Sequence, residues 1–141
     1  MAKINSFEEL DVWKNARLLA KKIFELIKED SFSRDFKLVN QINASSGSIM
    51  DNIAEGFERN GTREFIQFLS IAKGSAGETR SQLYRALDRE YLSDKKFKEL
   101  IEDLKQISGQ LSNLIKYLKN SEMKGVKYVN ELETLYEVKA K

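Results

Sequence analysis

The chain has 141 residues, with 24 Lys and Arg against 22 Asp and Glu for a net charge of +2, and it lacks histidine, cysteine and proline entirely. Those absences exclude disulfides, thiolate zinc sites, cysteine nucleophiles and any imidazole base or metal ligand. The near-balanced charge does not by itself demand a nucleic-acid partner. This length fits one domain that buries enough surface to need neither a disulfide nor a metal. Average proline usage of about 5% would predict about seven, so its absence removes the strongest helix breaker and favours an all-α fold. No apolar run approaches the ~20 residues needed to cross a membrane. The N-terminal MAKINSFEELDVW also lacks the apolar stretch of a signal peptide. A soluble, cytoplasmic protein is expected.

The first helix is predicted to begin at Ser6, where Ser6 and Glu9 form an S-x-x-E capping box. Trp13, Ala16, Leu19, Ala20, Ile23, Leu26 and Ile27 then recur at helical spacing. Asp30 to Ser33 breaks the pattern and offers Ser33 as the next N-cap. A second helix follows from about Arg34 to Glu58 on Leu38, Ile42, Ser45, Ile49, Ile53 and Phe57. Asn60-Gly61 is a stop that tolerates left-handed backbone, with Thr62 as the cap of a third helix ending near Tyr91. Gly74 and Gly77 inside that helix each cost about 1 kcal/mol relative to alanine, which predicts close approach of a neighbouring backbone.

Ser93 caps a fourth helix with the clearest repeat. Phe97, Leu104, Leu111 and Leu118 share one heptad position, and Leu100, Ile107 and Leu114 share the other, with Ile101 and Ile115 widening the seam. Short connections make sequential helices antiparallel neighbours, so the predicted architecture is an up-down-up-down four-helix bundle over residues 1–120. Residues 121–141 form a C-terminal extension. Asn120 to Gly125 reads as a linker, and Tyr128 to Tyr136 as a short helix that either docks or frays.

The segment from Gln41 to Glu78 departs from a simple core. Ser45, Ser46, Ser48, Asn52, Glu55, Gly56, Ser75 and Glu78 stand among Ile42, Ile49, Ile53, Leu69 and Ala72. Burying polar groups costs about 1–3 kcal/mol each unless they are hydrogen-bonded, so this stripe is either a polar packing network or a site. Asp51, Glu55 and Glu78 are the carboxylates a metal would use, but without histidine the di-metal bundle pattern is missing. The expected reading is structural, with Ser48, Asn52, Glu55, Ser75 and Glu78 capping, bridging or pairing with Arg80 or Arg85. Gly47, Gly56, Gly74 and Gly77 do not match a phosphate-binding loop and are read as helix-contact positions. No catalytic residue, cofactor or metal is expected.

Phe7-x-x-Leu10-x-Val12-Trp13, Gln41-Ile42, Ser48-Ile49-x-x-Asn52-Ile53-Ala54-Glu55-Gly56, Glu64-Phe65 and Ala72-x-Gly74-Ser75-x-x-Glu78 stand in order. Together they resemble the bacterial four helix bundle protein family, also called the 23S ribosomal RNA intervening-sequence protein because some members are encoded inside insertions in ribosomal RNA genes. The resemblance spans about Phe7 to Leu118. It implies an antiparallel four-helix bundle that assembles as a homopentamer. It also implies relatedness to the accessory variability determinant of diversity-generating retroelements, a pentameric bundle that binds a reverse transcriptase and nucleic acid. Most members have no assigned activity. Two departures stand out: Arg89-Glu90-Tyr91 replaces the usual glycine-tyrosine after the third helix, and a proline common before the second is missing.

Lys73, Arg80, Arg85 and Arg89 on the third helix are the nucleic-acid-binding candidates, RNA or DNA, against the simpler reading of a solvated surface. In a ring each positive patch repeats, so weak contacts multiply. The leading functional expectation is a non-enzymatic, oligomeric helical adaptor for nucleic acid or a nucleic-acid enzyme. The alternative is a purely structural protein–protein module, with an enzyme third.

Overall fold

The computed structural model describes residues 4–124, which form a 3-10 turn at Phe7–Glu9 and five helices. These are α1 (Asp11–Ile27), the single-turn α2 (Asp30–Ser33), α3 (Phe36–Glu58), α4 (Thr62–Asp88) and α5 (Asp94–Lys124). The four long helices pack in cyclic order α1–α3–α4–α5, and α5 closes back on α1. Cross-helix bonds fix the directions. Asn15 meets Gln110 and Lys22 meets Asp103, so α1 and α5 are antiparallel. Gln41 meets Arg85 and Ser48 meets Ser75, so α3 and α4 are antiparallel. Tyr84 packs edge-on to Phe97, which runs α5 back along α4. The result is the expected up-down-up-down bundle.

The core follows the sequence periodicity. Val12, Ala16, Leu19 and Ile23 of α1 face Leu38, Ile42, Ile49 and Ile53 of α3, and all are essentially inaccessible. Both heptad rows of α5 are buried from Leu100 through Leu118, with Phe97 and Ile115 half-buried at the edge. Ile4 and Leu10 lie at the end where α1 begins, and α2 places Phe32 over the other end, stacked on Tyr91 at 5.0 Å. The fully buried Phe32 explains why Asp30 to Ser33 forms a helical turn rather than an open break.

Helix ends differ from the sequence reading in consistent ways. The Ser6 side chain makes no cap bond, Glu9 instead accepts the Asn5 backbone N–H at 2.7 Å, and α1 starts at Asp11. Ser33 donates back to the Asp30 carbonyl, so Asp35 caps α3 by accepting the Leu38 N–H at 3.2 Å. Gly61, not Thr62, occupies the N-cap position of α4. Ser93 caps α5 as expected, through the Lys96 N–H at 3.1 Å. That helix continues through the expected linker start at Asn120 to Lys124, with Ser121 buried. Tyr128 to Tyr136 lie outside the described residues.

Among the described residues two non-glycine residues adopt left-handed backbone, Asn60 at φ 59° and Glu90 at φ 60°. Asn60 is the anticipated stop. Glu90 sits where the resemblance would place glycine, in a Schellman closure: the Tyr91 N–H bonds the Ala86 carbonyl and the Glu90 N–H bonds that of Leu87. Asp35 braces this end. Its Oδ2 accepts from Arg89 at 2.7 Å and from the Tyr91 hydroxyl at 2.8 Å. Tyr91 first, then the Leu38 N–H, hold the Asp35 carboxyl below the ordinary carboxylate range.

The helix-interior glycines separate by what surrounds them. A Cβ on Gly56 would fall 2.6 Å from Phe68 Cβ, so this glycine sets the α3–α4 approach. A Cβ on Gly47, Gly74 or Gly77 would meet nothing within 4 Å, which corrects the expectation that these three mark close helix contacts.

Urea unfolding should therefore sort these positions. Gly56→Ala is expected to destabilise by about 1–3 kcal/mol. Gly77→Ala is expected to stabilise by about 0.5–1 kcal/mol, and Glu90→Gly by a similar amount through relief of left-handed strain. Because the folded Asp35 pKa is depressed, its contribution is complete above the unfolded carboxylate pKa and is lost as pH falls through the folded value. Asp35→Asn should flatten the acid limb of the stability–pH curve; an unchanged limb would show that Asp35 is not a source of it.

Candidate nucleic-acid interface and the polar seam

Small hydroxyl residues on facing stripes let α3 and α4 approach closely, and their polar atoms must then find partners across the gap. Ser45 Oγ donates to Gln82 Oε1 at 2.6 Å and lies 2.9 Å from the Thr79 hydroxyl, which also reaches the Ser75 carbonyl at 2.8 Å. One turn along, Ser75 donates to Ser48 Oγ at 3.0 Å, and Asn52 Nδ2 donates to the same oxygen at 2.8 Å. Ser46 returns its proton to the Ile42 carbonyl. Among the described residues no buried side-chain nitrogen or oxygen is left without a partner. The seam satisfies itself.

Of the five residues expected in this network, Ser48, Asn52 and Ser75 are brought together. Glu55 is not: it turns outward and pairs with Arg59 at 2.9 Å. Glu78 is exposed and touches the network only through a long 3.5 Å bond from Gln82. Neither carboxylate bonds Arg80 or Arg85, because Arg85 donates to Gln41 at 3.0 Å instead. Among the described residues no three carboxylates gather as a metal would require. Gln82 and Thr79 were the members missed. Both lie on the Ser75 stripe, and their spacing from Ser75 was the available signal.

The basic candidates also divide. Arg85 and Arg89 are engaged with Gln41 and Asp35 on the α3 side of α4. Arg80 is half-buried and joins neither pair. Lys73 lies on the opposite edge, where α4 and α5 frame an open groove of about 880 Å³. Lys116 and Lys119 of α5 line the same groove, beside Ser70, Ser112 and Asn120, with Ile115 in its wall. The structure thus separates the four candidates and joins Lys73 to two lysines whose proximity required the α4–α5 register. Elsewhere, Lys22 binds Asp103 at 2.8 Å between α1 and α5, and that hydrogen bond is the main reason its pKa is raised.

An antiparallel four-helix bundle with a self-satisfied polar seam and a lysine groove is the class defined by this geometry. The chain belongs to the 23S rRNA-intervening sequence protein family, whose sequence model matches residues 8–113. Among solved structures it is similar to a protein of unknown function from the S23 ribosomal protein family of Bacteroides thetaiotaomicron. The two share 28% identity at a TM-score of 0.69, over 74% of this chain and 98% of that one. No curated protein matches it significantly. Among the described residues no helix is long and apolar enough to cross a membrane.

Removing the Ser45 hydroxyl leaves Gln82 Oε1 without its closest donor. Ser45→Ala should cost about 1–3 kcal/mol in denaturant unfolding. Adding Gln82→Met to that variant should recover much of the loss, since both partners are then apolar. A double variant less stable than either single would refute the pairing.

Proposed function

We propose that this protein is a non-enzymatic, homo-oligomeric helical scaffold of the cytoplasm that engages nucleic acid through the α4–α5 groove. The observation that carries this reading is the gathering of Lys73, Lys116 and Lys119 along one groove. None of the three makes a hydrogen bond or ion pair with another described residue. A lysine ammonium is a compact point charge suited to phosphate oxygens, and contacts of this kind position a nucleic acid without reading its sequence. Family membership supports the oligomer, with five subunits the number implied by the resemblance. A ring would repeat the groove around its axis, so that contacts weak in one protomer act together.

A second reading, a protein–protein module without nucleic acid, draws on the exposed Leu18, Phe24, Phe36 and Ile71. Salt separates the two. Phosphate binding weakens steeply between 50 and 200 mM salt, by roughly the power of the number of phosphates neutralised. Apolar association does not. Light scattering after size exclusion should give about five times the 16.3 kDa chain mass, and fluorescence anisotropy with labelled RNA and DNA should show salt-sensitive, sequence-indifferent binding. A monomer removes the multivalency argument, and no binding to any nucleic acid at low salt sinks the reading.

A further inference from the structure

We infer that the α4–α5 face holds the phosphate backbone of a double-stranded nucleic acid, not a single strand, and does so without reading bases. This rests on the nucleic-acid reading above and narrows it.

The charge distribution along the two helices is segregated. Residues 65–77 and 104–121 contain no Asp or Glu, while residues 78–103 between them alternate acids with bases. The antiparallel register sets the two acid-free stretches side by side, since the groove is lined by Ser70, Lys73 and Gly74 opposite Ser112, Lys116 and Asn120. The cations of the two stretches are Lys73, Lys105, Lys116 and Lys119, of which Lys73, Lys116 and Lys119 line the groove, and the remaining polar groups are neutral hydroxyls and amides. Such neutral donors, with lysine, are the side chains that bond phosphate and sugar oxygens. No carboxylate of either stretch opposes an approaching polyanion.

The groove's shape selects the form of the nucleic acid. Single-strand sites draw about 1–3 kcal/mol per base from aromatic stacking platforms, and among the described residues no aromatic side chain lines this groove. Base readout in a duplex needs a protruding helix or ribbon that enters the major groove. A concave cleft between two helices has nothing to insert. What it fits is a convex ridge, and the phosphate ridge of a duplex is one with fixed charge spacing. The floor is open beside Gly74, where even a Cβ would meet no atom within 4 Å. α5, with 31 residues, is about 46 Å long at about 1.5 Å per residue. That length matches about fourteen base pairs at about 3.4 Å each.

The test is anisotropy with the full-length protein, a labelled duplex of about fourteen base pairs in mixed sequence, and each of its single strands. Three lysine–phosphate contacts predict a slope of log affinity on log salt near −2.7, at about 0.9 per contact. Lys73→Ala and Lys116→Ala, with helicity checked by circular dichroism, should each make the slope shallower by about 0.9. Lys98→Ala, on the mixed-charge part of α5, should leave it unchanged. Tighter binding of the duplex than of either strand supports the inference. Equal or tighter binding of a single strand overturns it while leaving nucleic-acid binding in place. A slope untouched by Lys73→Ala and Lys116→Ala moves the contact elsewhere and overturns the site. If no probe binds, the broader reading falls as well.

Discussion

The close approach of α3 to α4 is the constraint from which the rest of the bundle follows. At one end Gly56 lies against Phe68 with no room for a side chain, and at the middle Ser45, Thr79 and Gln82 exchange hydrogen bonds in the dry interior. Hydroxyls and glycine are poor choices for a purely apolar core, but they shorten the distance between helices while keeping every polar atom bonded. α1 and α5 then complete the bundle on either flank with ordinary aliphatic stripes. Their seam with each other needs only the half-buried Lys22–Asp103 pair and the Asn15–Gln110 bond. The fold therefore combines one specific contact with three more generic ones.

α4 sits at the centre of this arrangement because it serves two neighbours with opposite edges. Its Ser75–Thr79–Gln82 edge is committed to α3, and Arg85 and Arg89 belong to that same commitment. Its Lys73 edge faces α5 across the open groove. A cation on α4 is thus structural or available according to its angle around the helix, not its proximity in sequence. This distinction organises the functional reading, since the three available lysines come from two helices and converge only in the folded chain.

Much of the fold was legible in the sequence, and what was missed has identifiable physical causes. The heptads of α5 and the stripes of α1 and α3 are tertiary signals averaged over many turns, so they survive local noise. Helix starts depend on one side chain winning a local competition. Asp35 caps α3 where Ser33 is expected, and of the expected Ser6–Glu9 box only Glu9 accepts a backbone N–H, that of Asn5. The glycines were recognised as anomalous, yet composition cannot tell a crowded glycine from an open one, and only Gly56 of the four proved crowded. The polar seam is legible as a region, but Glu55 and Glu78, which share its motif, lie outside it. Their positions on the α3 and α4 surfaces turn them to solvent, and Gln82 takes the interior place. The lysine groove is not legible as a site, because bringing Lys73 to Lys116 and Lys119 depends on the α4–α5 register.

The clamping of the α3–α4 hairpin at both ends carries a consequence for how the chain folds. The Asn60-Gly61 turn closes one end, and Asp35 with Arg89 and Tyr91 closes the other. Every bond between these helices nests about that turn, from Ser48–Ser75, 27 residues apart, out to Asp35–Tyr91, 56 apart. Each contact shortens the loop that the next must close, so the hairpin can zip from its turn outward at little entropic cost. The α1–α5 seam closes far larger loops, beginning at the 81 residues between Lys22 and Asp103. Asn15 and Gln110 are 95 residues apart and can meet only after the hairpin exists to carry both helices. Loop-closure entropy therefore favours the hairpin as the first unit to close and the α1–α5 seam as the last.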